Sequence, residues 1–298
     1  MFGFAGYFMQ KHQKNDKKDY FCRDKNILMR QDILESFNYL KEHIKGKPKI
    51  AIVLGTGLGE LAEKVEVITE IPYEAIPHFP ISQVQGHKGT LIHGRLNGVE
   101  VIVMNGRCHY YEGHTQQHIT FPIPVLKQLG IRRLILSNAA GGANPSFKIG
   151  DIMLIRDHIN RLGSNPLLGP NDDTLGPRFP SMNKAYSSEM LEIAMETARK
   201  NDIHVQCGVY LAMEGPYFGS AAECRAYYIL GCDAIGMSTI PETIAAVHCG
   251  IEVFALSVIT DLAIVGEQEN VSHEEVLGAA AKAGPKVSKL IYEMLPKI

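Results

Sequence analysis

Short apolar runs that stop at glycine or a small polar residue alternate along this chain with stretches of helical spacing. From Asp32 to Ile44, the apolar positions Ile33, Leu34, Phe37, Leu40 and Ile44 mark one face of a helix, which Gly46 and Pro48 end. Lys49 to Leu54 is too short for a helix and stops at Gly55, so it reads as a strand buried on both faces; Leu58 to Lys64 restarts a helix. Gly89 to Leu96 and Val99 to Met104 flank Asn97-Gly98, which predicts a hairpin. Further strands are expected at Arg133 to Ser137, Asp151 to Ile155, Gln206 to Met213 and Glu252 to Thr260. Helices are expected at Ser187 to Asn201, at Ala221 to Leu230, at Ile240 to His248 with Pro241 in its first turn, and at His273 to Leu295 with Ser272 as N-cap. Strands and helices mix without a composition break or an internal repeat. That predicts one α/β domain with both parallel and antiparallel strands.

Composition narrows the partners. The 298 residues carry a net charge of -2 and are 45% hydrophobic. This supports a sizeable core and disfavours a nucleic-acid backbone or an anionic membrane as partner. A bound anion would need a local site. Six cysteines form no C-x-x-C pair. No disulfide framework or zinc site is expected, and the compartment reads as reducing and cytoplasmic. No run reaches the length of a membrane-spanning helix. Met1 to Met9 is apolar and aromatic and precedes Lys11, Lys14, Lys17 and Lys18, the reverse of the order in a signal peptide. Residues 1–28 are expected to be a disordered extension, with Met29 as an alternative start, and residues 29–298 the folded domain.

Candidate chemistry collects where strands end. Gly55-Thr56-Gly57-Leu58-Gly59 closes a strand and opens a helix, so backbone N–H groups, the Thr56 hydroxyl and the helix dipole can meet an anion. It lacks the full dinucleotide fingerprint and the P-loop lysine, and taken alone it is equally a tight connection. Asn105 to His114 packs Arg107, His109, Tyr110, Tyr111, Glu112 and His114 into one loop, and Arg107 can fork onto two phosphate oxygens. Ser137 to Gly142, Glu214 to Cys224, Gly236 to Glu242 and Thr260-Asp261 also follow candidate strands. Each is singly an ordinary connection. Their accumulation argues for one shared site outside the carboxyl ends of the strands.

In this order the segments resemble the trimeric purine nucleoside phosphorylases. The matching motifs are Gly55 to Gly59, Gly86-His87-Lys88-Gly89, Gly106 to Gly113, Asn138-Ala139-Ala140-Gly141-Gly142, Asn165-Pro166-Leu167 with Gly169 to Asp172, Ala222 to Arg225, Gly236 to Thr239 and His273 to Val276. The match runs from about Asp32 to the C-terminus. The resemblance implies a mixed sheet partly closed into a barrel and flanked by helices, a homotrimer, and phosphorolysis of purine nucleosides to a base and ribose 1-phosphate. Inorganic phosphate would be a co-substrate, and no metal or organic cofactor is implied.

Carried over by position, the resemblance puts Thr56, Arg107, His109, Ala139 and Ser238 on phosphate, with His87 nearby. Tyr111, Met237 and His273 would hold the ribose, His273 near the 5′-hydroxyl, and Phe218 would stack on the purine. His109, Asp261 and His273 are the implied catalytic residues. Two positions depart from the 6-oxopurine-specific members: Gly219 replaces a glutamate that reads N1–H, and Asp261 replaces an asparagine. Glu214 and Glu223 are candidates to substitute for the missing acid. Asp261 could protonate N7 or, ionised, accept from a 6-amino group. The stretch Arg161 to Pro166 lacks an aromatic that would reach a neighbour's ribose. Two alternatives stand beside this reading: a methylthioadenosine phosphorylase, favoured by Gly219 and Asp261 and opposed by the polar His273, and a purine-binding protein without catalysis.

Overall fold

The computed structural model describes residues 29–84, 88–263 and 271–298. Its strands are β1 (Ile50–Val53), β2 (Glu66–Pro72), β3 (Thr90–Leu96), β4 (Val99–Asn105), β5 (Arg133–Gly142), β6 (Ile152–Arg161), β7 (Val205–Met213), β8 (Ala234–Gly236) and β9 (Glu252–Leu262). Its helices are α1 (residues 29–43), α2 (Glu60–Glu63), α3 (Gln116–Ile119), α4 (Pro122–Gln128), α5 (Ser188–Lys200), α6 (Ala221–Ile229), α7 (Ile240–His248) and α8 (His273–Met294).

The strands form one mixed sheet in the order β2-β3-β4-β1-β5-β8-β7-β6-β9, and β9 pairs again with β5. That second pairing closes β5, β8, β7, β6 and β9 into a five-stranded barrel and leaves β2, β3, β4 and β1 as an open extension. The partly closed mixed sheet expected above is therefore the fold. Strand β1 shows why its run is apolar throughout. Ala51 and Val53 face one core with α1 and α4, while Ile50, Ile52 and Leu54 face a second core under α5 and α8. A strand buried on both faces needs apolar residues on both.

Local chemistry sets the ends of the elements. The hairpin β3–β4 turns at Asn97 (φ 52°) and Gly98 (φ 75°), two left-handed residues in succession, as the Asn-Gly pair requires. Ser187 caps α5 by accepting from the Met190 N–H, and Arg199 and Lys200 sit in its last turn, at the negative end of the dipole. Ser272 and Glu275 form a capping box that starts α8 beside the carboxyl end of the sheet. Among the described residues no helix is long and apolar enough to cross a membrane.

Two glycines after β1 set how closely the chain can pack. A Cβ on Gly55 would lie 2.4 Å from the Ser137 carbonyl oxygen and 2.8 Å from the Asn138 Cα, both backbone atoms of β5. Gly57 has φ 74°, and a Cβ there would lie 2.6 Å from the Ala280 methyl of α8. The turn is thus wedged between β5 and α8, and Gly55→Ala must push a strand of the barrel aside. We predict a loss of about 1–3 kcal/mol, the usual cost of overpacking, seen as a lower Tm. An unchanged Tm would show that β5 yields more easily than its pairing implies.

Candidate active site

A cavity of about 470 Å³ opens at the carboxyl ends of the strands. Thr56 reaches it from the turn after β1, and Arg107, His109 and Tyr111 from the segment after β4. Ala139 comes from β5, Phe218 and Gly219 from the loop after β7, and Met237 and Ser238 from the link between β8 and α7. Asp261 comes from β9, and His273 opens α8. Residues far apart in the chain therefore share one cavity, as the motif order suggested. His87 lies outside the described residues.

Arg107 is 5% exposed and does not stand free to fork onto a ligand. Its Nη1 donates to Glu242 Oε1 at 2.8 Å, its Nη2 donates to the Ser137 carbonyl, and its buried Nε–H has no partner in the protein. His109 is oriented from the next turn. Glu112 Oε1 accepts from the His109 amide at 2.6 Å and lies 3.4 Å from its Nδ1, and the Tyr111 ring stacks on the imidazole at 4.8 Å. Burial alone would raise the Glu112 carboxyl. Hydrogen bonds from the His109 side chain and from the Gln83 and His109 amides outweigh it and bring the pKa to about 2. Burial first and the Glu112 charge second push Tyr111 up to about 12.

Ser238 is presented by strained backbone. Thr239, fully buried and β-branched, has φ 70° and ψ -46°, a region such residues avoid. Its surroundings hold it there. Asn138 Nδ2 donates to Thr239 Oγ1 at 2.8 Å, and the Thr243 amide and hydroxyl both donate to the Thr239 carbonyl. The Ser238 amide donates to the buried Tyr210 hydroxyl at 3.3 Å. Asn138 lines the cavity, and its Oδ1 is buried without a partner. Swapping the amide's O and N would leave Nδ2 there instead, so either orientation leaves one buried polar atom without a partner. Sequence reasoning took Asn138 only as the start of its motif.

The comparisons fit this geometry. Residues 49–296 match the family model described as phosphorylase superfamily. The chain belongs to that superfamily. Purine nucleoside phosphorylase 1 of Geobacillus stearothermophilus is 46% identical over 253 residues, 85% of this chain and 92% of that protein. The crystal structure of the Schistosoma mansoni purine nucleoside phosphorylase in complex with adenosine superposes with a TM-score of 0.85 at 39% identity, covering 90% of this chain and 97% of that one. Isoform 2 from the same organism, in complex with cytosine and ribose-1-phosphate, gives a TM-score of 0.86 at 40% identity, covering 90% and 96%.

The cavity lining includes Met213, Phe218, Gly219, Cys224 and Asp261, with Gly219 packed near Cys224 and Met213. Neither glutamate named above takes part. Glu223 is held in the capping box of α6, accepting from the Ser220 amide and hydroxyl and from the Tyr217 hydroxyl. Glu214 Oε1 points at Gly163, only 2.6 Å from where a Cβ there would sit. Among the described residues Asp261 is the one acidic side chain lining the cavity. Its Oδ1 accepts from the Thr260 hydroxyl at 3.0 Å, and its Oδ2 fills space that a side chain on Gly141 would need. Burial pushes the Asp261 carboxyl up, against the opposing Thr260 hydrogen bond.

One trio of potential metal ligands lies nearby, with ligand atoms of Cys108, Glu112 and His114 within 4.8 Å of one another. Its chemistry suits a metal poorly. Burial and the Glu112 charge push the Cys108 thiol up to about 12, and both Glu112 oxygens already accept from Ser82.

The Asp261 shift has a sign that stability can read. Its folded-state pKa lies above the unfolded value. The buried charge therefore costs stability fully above the folded pKa, and the cost vanishes below the ordinary carboxylate range, where both states are protonated. Asp261→Asn should raise Tm at pH 8, and the gain should shrink steadily as pH falls through that window. A gain independent of pH would exclude titration of Asp261 as the cause.

Proposed function

We propose that this protein cleaves the N-glycosidic bond of purine nucleosides with inorganic phosphate, releasing a free base and ribose 1-phosphate. The observation that carries this reading is the shared cavity. Thr56, Arg107, His109, Ala139 and Ser238, expected on phosphate, line the same cavity as Tyr111, Met237 and His273, expected on ribose, and Phe218, Gly219 and Asp261, expected on the base. The ribose-1-phosphate and adenosine held by the Schistosoma mansoni enzymes are the ligands such an arrangement would take.

In this mechanism the bond from C1′ to the purine breaks and its electron pair leaves with the base. The sugar gains oxocarbenium character, and a phosphate oxygen captures C1′. Donors around the phosphate hold it beneath the cationic carbon. Asp261, raised by burial, gives a proton to N7 of the departing base, or in its ionised form accepts from a 6-amino group. The site needs no metal or organic cofactor.

The finer assignments belong to the same proposal. The domain spans residues 29–298 and works as a homotrimer in the cytoplasm. Phe179 is 88% exposed and Leu168 57%, apolar surface on the segment after β6 that a neighbouring subunit would cover. Cys108, Cys207, Cys224, Cys232 and Cys249 are free thiols, consistent with a reducing compartment.

The test is a panel of inosine, guanosine, adenosine and methylthioadenosine with and without phosphate. Base release should require phosphate; release that proceeds equally without it sinks the reading. On the same panel, Gly219→Glu should shift kcat/KM toward 6-oxopurines by about tenfold or more, the scale on which a hydrogen-bonding site discriminates. A Cβ at Gly219 meets Cys224 Sγ at 3.1 Å, so the backbone there admits a side chain once that thiol gives by a few tenths of an ångström. An unchanged preference would remove position 219 from base selection.

A further inference from the structure

Glu242 stands out as a charged residue in a helix that is otherwise apolar and small, Ile240-Pro241-Glu242-Thr243-Ile244-Ala245-Ala246-Val247. It sits in the first turn of α7 and is 6% exposed. It is not among the residues lining the cavity, and in the sequence it closes the candidate segment Gly236 to Glu242 without a role of its own. Its carboxylate meets the Arg107 guanidinium at 2.8 Å, with the two side chains 7% and 4% exposed.

An arginine this deeply buried needs a compensating charge, but a buried ion pair gives little net stability over apolar packing. What the pair does fix is geometry. Glu242 takes one N–H of Nη1 and the Ser137 carbonyl takes one of Nη2, so the guanidinium plane is set from two sides on a residue of the cavity wall, and each terminal nitrogen carries a second N–H outside these two bonds. The same turn of α7 begins at Thr239, which Asn138 anchors, and follows directly on Ser238. One helical turn thus ties together the walls contributed by β4, β5 and β8.

We infer that Glu242 is the positioning residue of the phosphate end of the site: it acts through Arg107, setting the orientation in which the guanidinium meets the anion. This rests on the phosphorolysis reading above, and phosphate-dependent turnover by the unaltered protein checks that reading separately. The hydrogen bond to Nη1 carries the role, so an uncharged acceptor of the same length preserves it. A shorter side chain that keeps the charge does not.

The experiment compares the unaltered protein with Glu242→Gln, Glu242→Asp and Glu242→Ala. It measures KM for phosphate at saturating inosine, KM for inosine at saturating phosphate, and Tm. Glu242→Ala and Glu242→Asp should raise the phosphate KM by about tenfold or more, the scale of a lost hydrogen bond to a charged group. The inosine KM should stay within about twofold, and Glu242→Gln within about threefold of the unaltered protein in both. If Glu242→Ala does not fold, Glu242→Asp carries the comparison. The inference is overturned if the phosphate KM stays unchanged while Tm falls, if both KM values rise together, or if Glu242→Gln behaves like Glu242→Asp.

Discussion

Strand β5 hydrogen-bonds to β9 along the whole of one edge, from Arg133 to Gly142, and along the other edge changes partner, pairing with β1 over Arg133 to Leu136 and with β8 only at Gly141 and Gly142. Between those two partners, residues 137–140 have no neighbouring strand on that edge among the described residues. This gap, where an open sheet meets a closed barrel, is the constraint on which the site depends. Buried backbone must find partners, and here some come from side chains: the Ser137 carbonyl accepts from Arg107, and the Ser137 hydroxyl accepts from the Gly55 amide. Asn138 then anchors Thr239, Ala139 faces the cavity, and Gly141 leaves room for Asp261. The register between β5 and β9 also shifts at Ala140/Gly141, beside Asp261. A barrel strand that keeps one partner throughout would offer no such opening.

Much of this could be read from the chain, and the exceptions have physical reasons. Helices α5 and α7 and the β3–β4 hairpin lie within a residue or so of their expected bounds, because the Ser187 cap, Pro241 in the first turn of α7 and the Asn-Gly turn are local signals. Strand β2 escaped notice because it is an edge strand with only Ile71 buried, so apolar alternation is weak from Glu66 to Pro72. Strand β8, three residues long, is too short to show any period. Strands β5 and β6 run past their apolar segments into Asn138–Gly142 and Arg156–Arg161, where pairing with β9 and β7 holds residues that local preference leaves undecided. The cavity residues were legible from motifs at strand ends. Glu242 fell at the end of one of those segments but was given no role, although an acid in a largely apolar helix was a signal available to be used.

The polar groups of the site form two regimes. Around Arg107, His109 and Glu112, charges are matched and the carboxylate is held ionised by several donors. Asp261 lies beside Gly141 and close enough to Cys224 to raise its thiol, with the Thr260 hydroxyl as a hydrogen-bond donor to the carboxylate. Partners thus hold the Glu112 carboxyl low while burial holds the Asp261 carboxyl high, a contrast that follows from burial and partners alone.

Thr239 carries its own consequence for how such a chain can drift. A glycine at that position would relax the backbone at φ 70°, yet it would also remove the Oγ1 that receives Asn138 and lies beside the Ser238 hydroxyl. Mutation toward comfort and mutation toward a working turn therefore point in opposite directions at one codon. A threonine in a conformation that glycine would favour shows that the contacts of its side chain outweigh the strain of its backbone.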